Sequence, residues 1–496
     1  MKTVTESNAP IGLTVGEDQE LTLSPEDYSL LTDLYQLTMV ACYVGEGLDR
    51  QPASFELFTR KLPEDFGYLI AMGLAQALDY LEKFRFSPAQ IEALQSTGIF
   101  ANATEEFWKL LAETRFTGDI WAVPEGKAVF ANEPLLRVDA PLWQAQLVET
   151  YLLNAINYQT LIATRSARLR DVAGPQAQLL EFGTRRAFSP QASIWAARAA
   201  LAAGFDATSN VLAALKLGRK PAGTMAHALV MAVGATSGSE EAAFTAFHKY
   251  FPGAPLLIDT YDTITAARGL AELVNRGEIR LEGVRLDSGD LIELSREVRS
   301  LLPGIPIFAS GDLDEWKISE LKNAGACIDG YGLGTKLVSG FPINGVYKLV
   351  EINGVGVMKE ANEKVTYPGR KQIFRYLQDG QVMGDCLGLM KEEGRGNEDE
   401  GRRNEDEGMR MKDEGRRNED ELSLVNCYQF PVPLMQLMVK DGKRVWPVES
   451  LEAIAQRTAV SVASLPAETR RLDNPLSPRV EISPELQILT QKTKKR

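Results

Sequence analysis

The chain has 496 residues, of which 44% are hydrophobic and 24% charged, with a formal net charge of −13. This length and apolar fraction can fill a large core or two lobes, and the negative charge argues against general binding to nucleic acids or anionic membranes. The four cysteines have no metal-ligand spacing, and neither a signal peptide nor a membrane-spanning stretch is evident, so we expect a soluble cytoplasmic protein.

The first third of the chain predicts a mixture of helices and short strands. Residues 1–24 are polar and are expected to be loose. Helical apolar spacing runs over 29–48, and the alternation over 52–58 is typical of a strand. Short strands joined by Pro, Gly and Asn turns are expected over 118–139, followed by a long helical run over 141–172.

A different rhythm begins at about residue 177. Short apolar strands such as QLLEF, PLLID, EGVRLD, IPIFA and ACIDGYG each end in a polar cluster, and helices follow; the stretch before GTMAH behaves in the same way. Repeated strand–loop–helix units indicate parallel strands with helices outside. We therefore expect a complete or partial (β/α) barrel with its site at the carboxyl ends of the strands, and an open doubly wound sheet is the alternative.

Residues 394–421 are four tandem heptapeptides, GRGNEDE, GRRNEDE, GMRMKDE and GRRNEDE. Almost no apolar residue recurs in them, so they cannot form a coiled-coil seam. Their composition predicts a mobile, solvated insertion whose flanks rejoin across it.

Charged residues and glycines gather where the predicted strands end. They are Arg185, Arg186, Arg285, Asp287, Asp290, Asp312, Gly332, Gly334 and Thr335. Arginine can donate two hydrogen bonds to a carboxylate or phosphate, and aspartate can accept from sugar hydroxyls or bind Mg²⁺. Closely spaced glycines let backbone N–H groups approach an anion. Together these residues suit a phosphorylated, hydroxyl-rich ligand such as a phosphosugar.

Each of these signals also has a purely structural interpretation. The arginines could form ion pairs within the fold, and the glycines could serve turns. The DSGD block could cap a helix through Ser288 or Asp287.

His227, in AGTMAHALV, is one of two histidines in the chain. Its small apolar neighbours allow a histidine packed in the core, and its place after a Gly-Thr pair allows a reacting group. The other histidine, His248 in FTAFHKYF, is expected to be an ordinary residue of an amphipathic helix.

Nine strings identify a resemblance. TDLYQLTM, FELFTRKLP, EFGTRRA, AGTMAHALV, LLIDTYDT, GVRLDSGDL, GLGT, VYKL and PGRK occur in this order between about residues 29 and 376. The chain thereby resembles the nicotinate phosphoribosyltransferase family. The resemblance implies an α/β fold: an irregular (β/α) barrel of the type II phosphoribosyltransferase kind, with an α+β sandwich lobe built from N- and C-terminal segments.

The resemblance also suggests a division of the chain. The expected segments are a flexible N-terminus 1–24, an N-terminal α+β lobe 25–140, a catalytic barrel 141–350, a return to the lobe 351–393, the repeat insertion 394–421, and a C-terminal segment 422–496.

The activity that the resemblance implies is transfer of ribose 5-phosphate from phosphoribosyl pyrophosphate to nicotinate. The products are nicotinate mononucleotide and pyrophosphate, with ATP hydrolysed through a phosphohistidine and with Mg²⁺ as the metal. Such an enzyme is a ligase of NAD salvage that forms a C–N bond by glycosyltransferase-type chemistry. A homodimer with shared active sites is also implied.

The resemblance assigns roles to individual residues. His227 would be phosphorylated, and nicotinate would bind to Tyr35, Phe182, Thr224 and Arg285, with Tyr35 contributed by the other subunit. The phosphoribosyl group and its phosphates would bind to Arg185, Asp287, Asp312, Gly334 and Thr335. No metal ligands are assigned.

Three alternatives stay open at this point. The first is the amide-using relative, nicotinamide phosphoribosyltransferase. The second is a catalytically silent barrel that acts as a scaffold through its charged repeats. The third is a metal-dependent sugar-phosphate lyase, which two histidines and no tight carboxylate cluster make a poor match.

Overall fold

The computed structural model describes residues 23–361, 364–390 and 431–495. The predictions for residues 1–22 and for the repeats at 394–421 lie outside these ranges.

The helices in the described ranges are α1 Leu34–Gly45, α2 Leu74–Lys83, α3 Pro88–Ser96, α4 Glu105–Ala112, α5 Leu142–Leu147, α6 Glu149–Ala173, α7 Pro190–Ala202, α8 Val211–Lys216, α9 His227–Ser237, α10 Glu240–Tyr250, α11 Thr263–Asn275, α12 Leu291–Leu301, α13 Glu315–Asn323, α14 Thr335–Val338, α15 Leu451–Ala463 and α16 Pro484–Lys494.

The strands in the same ranges are β1 Pro52–Thr59, β2 Leu69–Ile70, β3 Asp119–Ala122, β4 Ala128–Val129, β5 Pro134–Pro141, β6 Gln178–Glu181, β7 Ala207–Thr208, β8 Leu256–Leu257, β9 Val284–Leu286, β10 Ile307–Ala309, β11 Gly330–Leu333, β12 Gly345–Ile352, β13 Val355–Gly356, β14 Glu360–Ala361, β15 Lys364–Val365, β16 Lys371–Gln378, β17 Gln381–Leu389, β18 Val432–Pro433, β19 Gln436–Lys440, β20 Lys443–Arg444 and β21 Val480–Ile482.

The barrel is built on a six-stranded parallel sheet in the order β7-β6-β11-β10-β9-β8. An extended segment spans the seam between the two edge strands. The Ala222 amide donates to the Thr208 carbonyl at 2.9 Å, and the Thr224 hydroxyl donates to the Pro255 carbonyl at 2.5 Å. The seam is thus closed by isolated bonds rather than by a ladder, and the expected irregular (β/α) barrel is confirmed.

The outer helices follow the strands as the sequence pattern predicted. In α12, Leu291, Ser295 and Val298 are buried at a spacing that places them on one helix face. The DSGD block does cap this helix, but through Asp290, whose carboxylate accepts from the amides of Ile292 and Glu293. The predicted caps Ser288 and Asp287 are therefore wrong, which leaves their side chains available for other contacts.

The second lobe contains two sheets. A seven-stranded sheet has the order β13-β12-β1-β5-β3-β19-β20, and a four-stranded sheet has the order β18-β16-β17-β21. The N-terminal strands β1, β5 and β3 lie together at the centre of the larger sheet, and strands from later in the chain flank them on both sides, which confirms the expected sandwich lobe. The predicted domain limits stay predictions, although β12, placed within 141–350, pairs with β1 of this lobe.

Helix α6 connects the two lobes. It packs against α2, β2 and β12 on the lobe side, and against α7, α13 and α14 on the barrel side. Most of its 25 residues face other elements, and sixteen of them are buried, so the helix is a rigid internal support rather than a surface element. Its polar side chains can therefore bind backbone groups of the barrel.

Two buried clusters form the core, one in the barrel and one in the lobe. The barrel cluster also includes Ile454, Val462 and Leu465, so the C-terminal part of the chain packs against the barrel. Among the described residues, no helix combines the length and apolar character required to cross a bilayer.

Candidate active site

A cavity of about 470 Å³ lies at the carboxyl ends of β6, β9, β10 and β11. Its walls consist of Phe182, Arg185, Arg186, Ala226, His227, Arg285, Asp287, Ser310, Gly311, Asp312, Gly332, Gly334 and Thr335. Ligand sites of (β/α) barrels occupy this end of the sheet. Eight of the ten residues predicted from the sequence line this one cavity: Phe182, Arg185, His227, Arg285, Asp287, Asp312, Gly334 and Thr335.

The other two predicted residues lie elsewhere. Thr224 lines an adjoining cavity of about 430 Å³ that shares Phe182, Arg285 and Gly332 with the first. Tyr35 lies on α1 of the second lobe, is 48% exposed, and lines neither cavity. The described chain by itself therefore does not bring Tyr35 to the site.

His227 is the first residue of α9 and is half-buried at the cavity wall. Its Nδ1 atom lies 3.1 Å from the hydroxyl of Thr260. When Nδ1 carries the hydrogen and donates to Thr260, Nε2 holds the lone pair that a nucleophile needs. The alternative of a core histidine therefore does not describe His227. His248 lies on α10, where its Nε2 accepts from the Arg280 amide at 3.3 Å.

Arg285 is the cation at the floor of the site. Burial lowers its pKa from the ordinary value, while the nearby Asp287 and Asp259 act in the opposite direction. Arginine stays protonated under either influence. Its Nε atom is buried without a hydrogen-bond partner among the described residues. Arg285 nevertheless lines the cavity, and a guanidinium is suited to pair with a ligand carboxylate.

A network of acceptors surrounds Asp287. Its amide donates to Asp259 at 2.8 Å, and its carboxylate accepts from the Ser310 hydroxyl at 2.5 Å. Asp259 also accepts from the Ser288 hydroxyl at 2.7 Å, while its Oδ1 atom is buried without a partner among the described residues. These contacts fix the turn after β9 and hold carboxylates at the cavity.

Two positions in the cavity wall require glycine. Gly311 has a φ of +92°, and a Cβ atom there would collide with the carbonyl of Asp287. A Cβ atom on Gly332 would collide with the ring of Phe182. The glycines after β10 and in β11 thus let two cavity walls approach closely.

Arg185 and Arg186 line the cavity in the loop after β6, and neither forms an ion pair within the described ranges. The alternative that they are paired structurally is therefore not what this fold shows. They remain available to a bound anion.

Glu181 stabilises this loop through hydrogen bonds. We did not identify this residue from the sequence. It is fully buried, accepts from the Thr208 hydroxyl at 2.5 Å, and accepts from the Gly183 amide. Burial raises the pKa of Glu181 from its ordinary value. Thr260, Asp259 and Ser310 were also missed; each follows a predicted strand, but nothing in its immediate sequence marks it.

No group of three or more His, Cys, Asp or Glu side chains in the described ranges is arranged to hold a metal ion. Mg²⁺ is commonly held by one or two carboxylates together with phosphate oxygens of a substrate. Asp287 at the cavity fits that mode of binding.

Comparison with known protein families assigns three segments of the chain to the same family. Residues 30–157 match the nicotinate phosphoribosyltransferase (NAPRTase) N-terminal domain. Residues 177–373 match the nicotinate phosphoribosyltransferase (NAPRTase) family, and residues 370–490 match the nicotinate phosphoribosyltransferase C-terminal domain.

Individual proteins agree with this result. Nicotinate phosphoribosyltransferase pncB2 of Mycobacterium tuberculosis is 43% identical over 371 residues, covering 73% of this chain and 78% of that protein. The Bacillus subtilis nicotinate phosphoribosyltransferase is 42% identical over 392 residues, covering 74% and 77%. The crystal structure of human nicotinic acid phosphoribosyltransferase has a TM-score of 0.75 at 30% identity, covering 93% of this chain and 99% of that one.

Proposed function

The chain belongs to the nicotinate phosphoribosyltransferase family, and we propose that it transfers ribose 5-phosphate from phosphoribosyl pyrophosphate to nicotinate. The products are nicotinate mononucleotide and pyrophosphate, so the enzyme serves NAD salvage in the cytoplasm. The observation that carries the proposal is the single cavity, where a cation suited to a carboxylate, acceptors suited to ribose, and an accessible histidine lie together.

The transfer step requires stabilisation of two opposite charges. The pyridine nitrogen of nicotinate attacks C1 of the ribose, the C1–O bond to pyrophosphate breaks, and its electron pair leaves with the pyrophosphate. Positive charge develops on the sugar, near which we place Asp287 and Asp312. Negative charge grows on the leaving group, which we assign to Arg185 and to backbone N–H groups at Gly334 and Thr335.

The ring is held at the other side of the cavity. Phe182 offers a face for stacking, and Arg285 pairs with the nicotinate carboxylate. Thr224, from the adjoining cavity, contacts the same ring. No general base is needed, because the pyridine nitrogen attacks without a proton to lose.

Mg²⁺ would bind together with the pyrophosphate, and Asp287 would hold it on the protein side. When bound, the ion supplies charge neutralisation for the leaving group.

We further propose that ATP phosphorylates His227. Its Nε2 attacks the γ-phosphorus, an N–P bond forms, and the P–O bond to the departing ADP breaks. Thr260 holds the ring in the required orientation through Nδ1. The phosphohistidine places added negative charge beside the site and can alter the affinity for phosphoribosyl pyrophosphate.

A substrate comparison tests the transfer activity. Purified protein is incubated with phosphoribosyl pyrophosphate and Mg²⁺ plus nicotinate, nicotinamide or quinolinate, each with and without ATP, and the mononucleotides are separated and weighed by mass spectrometry. We expect product chiefly with nicotinate. Equal or greater turnover of nicotinamide would assign the amide reaction instead, and no product from any pyridine would favour the scaffold.

Labelling with γ-³²P-ATP tests the histidine. We expect one acid-labile, base-stable label, the lability of phosphohistidine, lost in His227→Ala. His248→Ala is the matched control, since the only other histidine lies outside the cavity, and it should label normally. Label retained by His227→Ala would overturn the assignment of the nucleophile.

A further inference from the structure

The short helix α14 ends in carbonyl groups that it cannot pair within itself. Its first residue, Thr335, lines the cavity, and the rest of the helix and the turn after it, 336–340, follow directly in the chain. A helix of four residues has almost no internal hydrogen bonds and is not stable alone. Its conformation must therefore be fixed by neighbouring elements.

The neighbouring helix α6 supplies the missing donors. The Nη1 atom of Arg165, which carries two hydrogens, donates to the carbonyls of Lys336 at 3.1 Å and of Ser339, and the Leu337 carbonyl lies 3.5 Å from the same atom. The Tyr158 hydroxyl donates to the Val338 carbonyl at 3.0 Å. Tyr158 and Arg165 are seven residues apart, which places them on one face of α6. Two side chains of one rigid helix thus contact four consecutive carbonyls.

Close contacts lie on both sides of α14. Gly340 has a φ of +133°, and a Cβ atom there would collide with the Arg165 guanidinium. On the inner side Val338 is fully buried, and a Cβ atom on Gly183 would collide with it. Movement of α14 would therefore disturb the loop after β6, which carries Arg185.

We propose that Arg165 and Tyr158 are positioning residues for phosphoribosyl pyrophosphate. They touch no substrate themselves; they hold α14 so that the backbone N–H groups at Gly334 and Thr335 meet the pyrophosphate group of phosphoribosyl pyrophosphate. This inference rests on the proposed function through the role given to those two residues. It extends that function by naming the support on which its phosphate subsite depends.

The inference predicts different effects on the binding of the two substrates. Nicotinate is assigned to Phe182, Thr224 and Arg285, none of which lies on α14. Phe182 adjoins Gly183, but Thr224 and Arg285 hold nicotinate from elements other than α14, so loosening α14 should weaken phosphoribosyl pyrophosphate much more than nicotinate. A merely structural role would instead lower stability with no preference between substrates.

The experiment uses Arg165→Met, which removes the donors but keeps the aliphatic stem, with Arg165→Lys and Tyr158→Phe as milder changes. Arg170→Met is the matched control. It lies on the same helix, donates to the carbonyls of Gly204, Gly174 and Ala177, pairs with Asp206, and does not line the cavity. Melting temperature and both KM values are measured for each protein, together with calorimetric binding of phosphoribosyl pyrophosphate.

We expect Arg165→Met to raise the KM and Kd for phosphoribosyl pyrophosphate by about tenfold or more, because a misplaced binding group loses most of its contact. The KM for nicotinate should change less than about twofold. Arg165→Lys should recover part of the loss, since lysine also donates to carbonyls. Tyr158→Phe should show a smaller rise of the same selectivity. Arg170→Met should lower the melting temperature and leave both KM values unchanged.

Other outcomes overturn the inference. Equal rises for both substrates, or a fall in melting temperature with unchanged KM values, would show a structural role only. If Arg165→Met does not fold, the two milder variants decide by the same criterion. A wild-type protein without transfer activity would refute the proposed function. The binding measurement would then test the positioning inference separately: equal Kd values of wild type and variants for phosphoribosyl pyrophosphate would refute the inference.

Discussion

Arg285 is the residue that most directly links the shape of the cavity to the choice of pyridine. It is desolvated between Asp259 and Asp287, which offset part of the cost of burying a cation. Its guanidinium lines the cavity, where it can pair with a carboxylate and pairs less well with a neutral amide. Selection between acid and amide should therefore depend on this side chain.

We predict that Arg285→Met weakens nicotinate by on the order of 2 kcal/mol, about a thirtyfold rise in KM, because one charge-assisted bidentate contact is lost. Nicotinamide should lose far less, and labelling of His227 by ATP should persist. Steady-state kinetics with both pyridines measures this. Arg185→Met serves as the comparison, since its loss should fall on phosphoribosyl pyrophosphate. A similar loss for both pyridines would remove Arg285 from carboxylate recognition.

At this scale the sequence revealed the residues that face the ligand but not those that hold them. Arg285 and Thr335 stand in recognisable strings at strand ends, and His227 is rare enough to attract attention. Ser310 bonds to a residue 23 positions away, and the acceptor of the Asp287 amide is 28 positions away. Such pairs depend on the order of strands in the sheet, which a single sequence does not contain.

At the scale of elements, the parallel strands and their helices could be predicted because each strand is a short apolar run before a polar cluster. The strand order and the barrel seam could not. Strands β7 and β8 have two residues each, and the extended segment between Thr208 and Pro255 carries isolated hydrogen bonds rather than a periodic pattern. The cap of α12 was misassigned by two or three residues, because three neighbouring polar side chains suit that position equally.

A buried carboxyl pair connects the loop between β4 and β5 to the smaller lobe sheet. Glu133 accepts from the Phe130 amide at 2.7 Å, and Asp385 forms a bidentate ion pair with Arg375 at 2.9 and 2.6 Å. Burial and the nearby Asp385 carboxylate raise the pKa of Glu133 well above its ordinary range. One arginine thus faces two carboxyl groups, and the fold favours Glu133 in its protonated form.

The sign of the pH effect follows from that raised pKa. The protonated Glu133 side chain stabilises the folded state fully at pH values below its unfolded-state pKa of about 4.5. This stabilisation is lost as the pH rises through the higher pKa of the folded state. Glutamine imitates the protonated carboxyl. We predict that the melting temperature of Glu133→Gln, relative to wild type, rises steadily as the pH increases from about 4.5.

Glu125→Gln is the matched control, because Glu125 is also buried but has the opposite shift. Burial acts to raise its pKa, yet the bidentate Arg198 and the Gly73 amide lower it overall. That variant should be less stable than wild type at neutral pH, and the difference should shrink as the pH falls through the lowered value. Melting curves over the pH series measure both, and a flat difference for Glu133→Gln would contradict a protonated Glu133.

At the scale of the whole molecule, the net charge of the chain is opposite in sign to the arginine side chains that line the site. The chain carries a net charge of −13, yet Arg185, Arg186 and Arg285 line one cavity whose proposed ligands are anions. Anion binding here depends on local geometry and not on the global field. In the larger lobe sheet, later strands flank the N-terminal strands on both sides and so tie both ends of the chain into one body, with α6 reaching from that lobe to the barrel.

The position of Tyr35 bears on how chains of this protein assemble into an oligomer. It is 48% exposed on the lobe and lines neither cavity of its own chain. We propose a homodimer in which Tyr35 stacks on nicotinate bound by the other subunit, so that each site needs two chains.

Subunit mixing tests this arrangement. Tyr35→Ala and His227→Ala should each be weakly active alone, because every site lacks one of the two side chains. In an equimolar mixture half of the dimers are heterodimers, and each of these has one intact site, so activity should recover to about one quarter of wild type. Exchange is verified by native mass spectrometry with subunits of different mass. Proven exchange without recovery would place Tyr35 outside the neighbouring site. Recovery would mean that the exposed tyrosine of one lobe and the barrel cavity of another form a single catalytic unit.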